Sequence, residues 1–164
     1  MNFWEIVSIF GDVQFWVGAS IVSIFFLFTI PRRVRTRIAW FIFQVLPAVV
    51  MSWAITQGLK IIFKIPRPCF DLVNCPTSYS FPSGHATVIF AAITVLSLHY
   101  KKKLLTISLF IFAGLVALSR LMLNVHRVED IILGSIIGLV TGFLVQKAYM
   151  NHQKEVGKFI SEVK

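Results

Sequence analysis

Three short stretches of this chain carry residue types that could do chemistry together. "KIIFKIPRP" (residues 60–68) offers Lys60, Lys64 and Arg67; "FPSGHATVIF" (81–90) offers Ser83, Gly84 and His85 at the head of an apolar run; "SRLMLNVHRVED" (119–130) offers Arg120, His126 and Asp130. In the second, Pro82 ends a loop, Ser83 fits a helix N-cap, and Gly84 leaves the backbone open to close approach. A helix start with unpaired N–H groups and a positive dipole end receives anions. Lys60, Arg67 and Arg120 add positive charge, and the two arginines can hold phosphoryl oxygens bidentately. His126 and Asp130 are four residues apart, so on a helix they share a face. The carboxylate can then accept from one ring nitrogen and leave the other outward as nucleophile or base. Arg120 and His126, six apart, would diverge on one straight helix, so the chain must turn near Asn124. The joint reading is an oxyanion site with two histidines.

The elements that must position these residues are membrane helices. The 164 residues are 57% hydrophobic, with sixteen Phe and a mean hydropathy of +0.80. Apolar segments recur along the chain, each about long enough to cross a hydrocarbon core of roughly 30 Å. The first lacks the short apolar region and small-residue cleavage site of a signal peptide and is read as retained. There are no repeats, low-complexity tracts or linkers, and residues 1–164 read as one domain. The formal net charge is +9. In a soluble chain that would raise nucleic acid as a partner; here the basic residues lie between apolar segments, where they set topology instead.

Apolar runs and breakers predict five spans: about Val13–Ile30, ended by Pro31; Ile38–Ile62, with a kink at Pro47; a third beginning after Pro82 and running to His99; Leu104–Leu121; and Val125–Tyr149. The fold class is therefore all-α, an integral membrane bundle of about five transmembrane helices, with six as the alternative. Residues 1–12 are amphipathic enough to lie in the membrane interface. Arg32, Arg33, Arg35 and Arg37 follow the first span, Lys101, Lys102 and Lys103 the third, and Lys147, Lys154, Lys158 and Lys164 the fifth. Five spans put all of these on one side, which the positive-inside rule makes cytoplasmic together with the C-terminus. A six-span count would split them. The three motif stretches then meet at the extracytoplasmic surface, where ionisable groups are costly and usually functional. Isolated features have plainer readings: His99 and His152 as structural histidines, and Lys64, Arg127 and Glu129 among head groups. Those plainer readings do not explain three clusters converging on one face.

The spacing Lys60-x6-Arg67-Pro68, Pro82-Ser83-Gly84-His85 and Ser119-Arg120-x5-His126-x3-Asp130 resembles the full three-part signature of the type 2 phosphatidic acid phosphatase (PAP2) superfamily. The resemblance covers residues 60–130 by motif and most of the chain by its helical frame. It implies an integral membrane lipid phosphatase with an outward-facing site. His126 would attack phosphorus and form a phosphohistidine, and Asp130 would hold its ring. His85 would protonate the leaving oxygen and then activate water. Lys60, Arg67, Ser83, Gly84 and Arg120 would cradle the phosphoryl oxygens. No carboxylate cluster suggests a metal, and no cofactor is called for.

The substrate implied is a lipid phosphate or diphosphate in the bilayer, with a polyprenyl diphosphate leading and phosphatidic acid or phosphatidylglycerophosphate as alternatives. The loop Cys69–Phe81 is short and holds one acidic residue, Asp71, which leaves little with which to read an elaborate head group. If the helix continues past Lys60, Lys64 falls near the same face and could meet a second phosphate. Vanadium haloperoxidases share the motif but are soluble, and sugar-phosphate phosphatases would need more outer loop. A non-catalytic lipid-phosphate binding or transport protein would be expected to lose His85, His126 or Asp130, and all three are present. In "CFDLVNC", Cys69 and Cys75 lie in a loop predicted to be extracytoplasmic, where a disulfide can form.

Overall fold

The computed structural model describes residues 2–27, 31–69 and 75–162, without the side chains of residues 26, 27, 32–38 and 162. Asp71, Asn74 and Lys164, and the side chains of Arg32, Arg33, Arg35 and Arg37, lie outside this description. Six α-helices follow in order: α1 (Phe3–Ser8), α2 (Val13–Leu27), α3 (Arg32–Phe63), α4 (Gly84–Tyr100), α5 (Lys103–Met122) and α6 (Val128–Glu162). Among the described residues each predicted span contains a helix, though residues 125–127 lie before the start of α6. Three helical stretches, Ala39–Phe63, Lys103–Met122 and Val128–Ser161, are long and apolar enough to cross a membrane. A fourth crossing is available if α1 and α2, bent by 65°, form one broken span. Helix α4 is apolar but has 17 residues, roughly 25 Å of helix.

Local chemistry explains the ends. Asn2 and Glu5 form a capping box on α1: the Asn2 side chain accepts from Glu5 N at 2.9 Å and Glu5 accepts from Asn2 N at 2.8 Å. A 3₁₀ turn (Ile9–Gly11) then leads to Asp12, whose Oδ1 accepts from Gln14 N at 3.0 Å and caps α2. Helix α3 runs through Pro47 and stops at Lys64, which adopts the left-handed conformation (φ 50°). Helix α4 stops the same way at Lys101 (φ 51°). The helical regions exceed the expected ones at two places. Helix α3 starts at Arg32, so the arginine-rich loop is largely its first turns, and α6 continues well past Tyr149 into the lysine-bearing tail.

Helix α4 is the centre of the bundle, packed by α3, α5 and α6. It buries Ala86, Thr87, Val88, Ile89, Ala91, Ala92, Ile93, Thr94, Val95 and Ser97. Its tightest seam is with α6, where Gly134, Gly138 and Gly142 recur every four residues. A Cβ at Gly134 would lie 2.6 Å from Ser83 O, one at Gly142 2.6 Å from Ala91 O, and one at Gly138 closer still to Thr87 O. Small residues at this period let two helix backbones touch, which is how membrane helices gain packing energy. Around the outside, Phe43, Ile62 and Leu104 are at least 70% exposed, as suits side chains that meet lipid rather than water. His99 lies against the Trp40 ring at 3.7 Å between centroids, a structural place.

The amino-terminal segment packs on the bundle. Its apolar residues Phe3, Ile6 and Ile9 are exposed, while Ser8 and Gly11 are buried and Val7 and Phe10 pack against the core. The segment thus lies against α5 and the start of α4 with a second apolar side turned outward.

Candidate active site

His126 sits in the connection between α5 and α6, 4% exposed. The expected turn is present. Asn124 takes the left-handed conformation (φ 53°), and Leu123 N and Val125 N donate back to Ser119 O and Arg120 O at 3.0 and 3.2 Å. Asparagine tolerates this region better than other side chains. The chain then enters α6, which carries Asp130 one turn beyond His126. His126 Nδ1 donates to Asp130 Oδ2 at 3.2 Å. The same Oδ2 accepts from Arg127 N at 2.9 Å and from the Ser80 hydroxyl, which itself lies 3.3 Å from His126 Nδ1. With Nδ1 committed to the carboxylate, Nε2 carries the lone pair, and Arg67 Nη1 donates to it at 3.1 Å. Burial pushes the His126 imidazole down from 6.5 to about 4, helped by the positive charges of Arg67, Lys60 and Arg120 and opposed by the Asp130 hydrogen bond. The ring is therefore neutral at physiological pH, as a nitrogen nucleophile must be.

The cations come from the end of α3 and the loop after it. Lys60 Nζ donates to Tyr79 O and, at 3.3 Å, to Ser80 O. Arg67 Nε donates to Ser78 O at 2.8 Å, Nη2 to Ser78 Oγ at 2.9 Å, and Nη1 to Val125 O at 3.0 Å. Burial draws the Arg67 guanidinium below its usual range, and the Asp130 charge opposes this. The strand-like run 78–80 is thus laced to the site by the two residues that would bind phosphate. Ser80 N donates to Ile65 O at 2.8 Å, closing the loop on itself. Cys69 and Cys75 are joined by a disulfide with Cα atoms 5.5 Å apart, at the base of this loop.

The third motif piece arrives on α4. Ser83 N donates to Asp130 O at 2.9 Å, so the start of α4 is pinned directly to the helix bearing the aspartate. Ser83 stands at the N-cap position as expected, but its hydroxyl makes no capping hydrogen bond. Ser83 Oγ and Arg120 Nε are both buried without a hydrogen-bond partner. Two such orphaned donors beside an anion site call for a ligand oxygen. Arg120 acts electrostatically on both His85 and His126.

Lys60, Arg67, Gly84, His85 and His126 line one cavity of about 130 Å³. Asp130 stands behind His126, with Ser83 and Arg120 buried at its flank. Lys64 is not brought in. Helix α3 ends at Phe63, so the helical spacing that would carry Lys64 onto the face of Lys60 is broken, and its side chain is exposed. What is corrected is the helical continuation past Lys60 on which its possible second-phosphate contact was conditional. Sequence reasoning missed Ser78 and Ser80, which no motif spacing marks because they act through a loop. It also missed Gln57, Trp53 and the turn Gly11–Val13, which complete the cavity. Gln57 was findable, lying three residues before Lys60 on the same helix face.

Comparison with known proteins places the chain in a family. The chain is 31% identical to a lipid A 4'-phosphatase of Porphyromonas gingivalis, over 82% of this chain and 61% of that protein. It is 27% identical to an undecaprenyl-diphosphatase of Sulfolobus acidocaldarius, over 84% of this chain and 65% of that one. It thus spans somewhat under two thirds of the length of these relatives. Its fold is similar to the crystal structure of a transmembrane PAP2-type phosphatidylglycerolphosphate phosphatase from Bacillus subtilis, with a TM-score of 0.72 and 24% identity over 90% of this chain and 75% of that one. The PAP2 superfamily model matches residues 41–154, a stretch containing every motif residue described above, and the chain is therefore a multi-pass membrane member of the PAP2 superfamily.

Proposed function

We propose that this chain is a membrane lipid phosphatase working through a phosphohistidine. The observation that carries this reading is His126 itself: a buried, neutral imidazole with Nδ1 on Asp130 and Nε2 facing Arg67, on a cavity that Lys60 and His85 also line, with the Arg120 charge acting on it from outside that lining. Nε2 attacks phosphorus, and the bond from phosphorus to the leaving oxygen breaks as His85 gives that oxygen a proton. Water then attacks the phosphohistidine, His85 takes its proton, orthophosphate leaves, and His126 is restored. Phosphoryl transfer needs mainly positioning and charge stabilisation, which Lys60, Arg67, Arg120 and the orphaned Ser83 hydroxyl supply.

The substrate we favour is a polyprenyl diphosphate, cleaved to the monophosphate. Beyond the motif residues, the side chains lining the cavity that can hydrogen-bond a head group are Asp12, Trp53, Gln57 and Ser78, a short set with which to read an elaborate one. A long isoprenoid tail would lie along the apolar helices in the bilayer. One observation favours a second reading. With Lys64 outside the cavity, a second phosphate has one cation fewer to meet, which suits a monoester lipid such as phosphatidic acid, or phosphatidylglycerophosphate. The site would face the extracytoplasmic side, with the basic loops and C-terminus in the cytoplasm; the loop disulfide supports this, since such bonds persist in oxidising compartments. Phosphate release from a polyprenyl diphosphate, phosphatidic acid and phosphatidylglycerophosphate in detergent, with His126→Ala as blank, ranks the substrates. Release from none of the three would sink the enzyme reading and leave a lipid-phosphate binding protein.

A further inference from the structure

One wall of the cavity comes from none of the three motifs. Gly11, Asp12 and Val13 line it together with Lys60, Arg67 and His126. The turn that brings them there is anchored twice. Trp16 Nε1 donates to Phe10 O at 2.9 Å, and the Phe10 ring packs edge-on against Phe112 of α5 at 5.2 Å. Asp12 is occupied in capping α2, so the feature without a local explanation is Gly11. Its φ is not positive, so no backbone twist demands glycine there. The demand is steric. A Cβ on Gly11 would lie 2.8 Å from His85 Cβ, 3.0 Å from His85 Cδ2 and 2.9 Å from Val116 Cγ1. The His85 Cβ is fixed to α4 and cannot swing away as the tip of a flexible side chain can.

The two histidines are held by different means. Hydrogen bonds from Asp130, Ser80 and Arg67 surround the His126 ring, whereas among the described residues no hydrogen bond to the His85 ring is found. Packing is left to set the His85 ring direction, and on its Cδ2 edge the space is so narrow that a Cβ on Gly11 would lie only 3.0 Å away. We infer that Gly11 is a positioning residue for His85: the amino-terminal turn closes on the imidazole and keeps its outer nitrogen aimed at the leaving oxygen. This rests on the reading of His85 as the proton donor.

The test separates proton donation from general damage. Two probes share one tail: an alkyl phosphate, whose alkoxide leaves only with a proton, and a nitrophenyl phosphate, whose phenolate leaves without one. His85→Ala should lose about 10²–10⁴-fold in kcat on the alkyl phosphate and far less on the aryl phosphate. Gly11→Ala should show the same pattern at smaller size, about tenfold on the alkyl probe and within about twofold on the aryl probe, with KM unchanged. Equal losses on both probes in Gly11→Ala, beside the expected split in His85→Ala, would overturn the inference alone. No split in His85→Ala would overturn the donor reading itself. Should Gly11→Ala fail to fold, Gly11→Ala with Val116→Ala removes the clash on the valine side and keeps the one on His85. That double variant should be folded and still selectively slow on the alkyl phosphate. Recovery of both probes to wild-type rates would show that glycine serves packing only.

Discussion

His126 and His85 face one cavity but belong to regions built on opposite principles. Around His126 the chain is irregular and polar: a loop–helix junction, a left-handed Asn124, and a ring gripped at both nitrogens by Asp130, Ser80 and Arg67. Around His85 it is regular and close-packed: the first turn of the most buried helix, a glycine seam behind it and Gly11 in front. The first arrangement fixes a tautomer, because hydrogen bonds distinguish Nδ1 from Nε2. The second fixes a direction while leaving the nitrogens free to exchange a proton. A nucleophile needs the former and a proton shuttle the latter.

Variants can break this contrast in graded steps. His126→Ala should be the most severe, lowering turnover by about 10⁴-fold or more and preventing the trapping of any phosphoenzyme on rapid acid quench. Next is the packed region. Gly138→Leu places a side chain where α4 backbone already lies, and should cost about 3 kcal/mol or more, seen as a lost or strongly lowered melting transition in detergent. Gly114→Leu, with nothing within 4 Å of its Cβ position, should melt as the wild type does. If both variants melt alike, the glycine seam is not what holds the two histidines together.

The polar region should fail more gently. Ser80→Ala removes one hydrogen bond to the Asp130 carboxylate and should lower kcat about tenfold with KM and melting temperature little changed. A milder probe is pH. His126 must be neutral to attack, and burial brings its pKa down to about 4, so protonation of His126 should lower kcat/KM as pH drops toward 4. In Asp130→Asn the residual acid limb should move lower still, because the Asp130 hydrogen bond is the influence that raises the His126 value; a shift upward would contradict the assigned geometry. The smallest effect is expected at Lys64→Ala, within about twofold on a polyprenyl diphosphate and on its monophosphate, as for an exposed charge. A selective loss on the diphosphate would restore Lys64 to the substrate.

The sequence by itself determined the membrane helices and the chemistry at their mouths. Apolar runs of this length have few alternatives in a bilayer, where backbone groups must be satisfied within the helix. His126 and Asp130 were legible because helix periodicity converts a spacing of four into a shared face, and the turn at Asn124 because Arg120 and His126 cannot otherwise converge. Periodicity failed where the helix it assumed ended: α3 stops at Phe63, and Lys64 leaves the face of Lys60. Only the tertiary structure decided the rest. Ser80 reaches Asp130 across 50 residues, and Gly11 reaches His85 across the bundle. Such contacts depend on how closely whole elements approach, and for α4 and α6 that closeness rests on glycines whose role appears only when α4 is laid against them. Local spacing encodes which side chains share a face; it does not encode which faces meet.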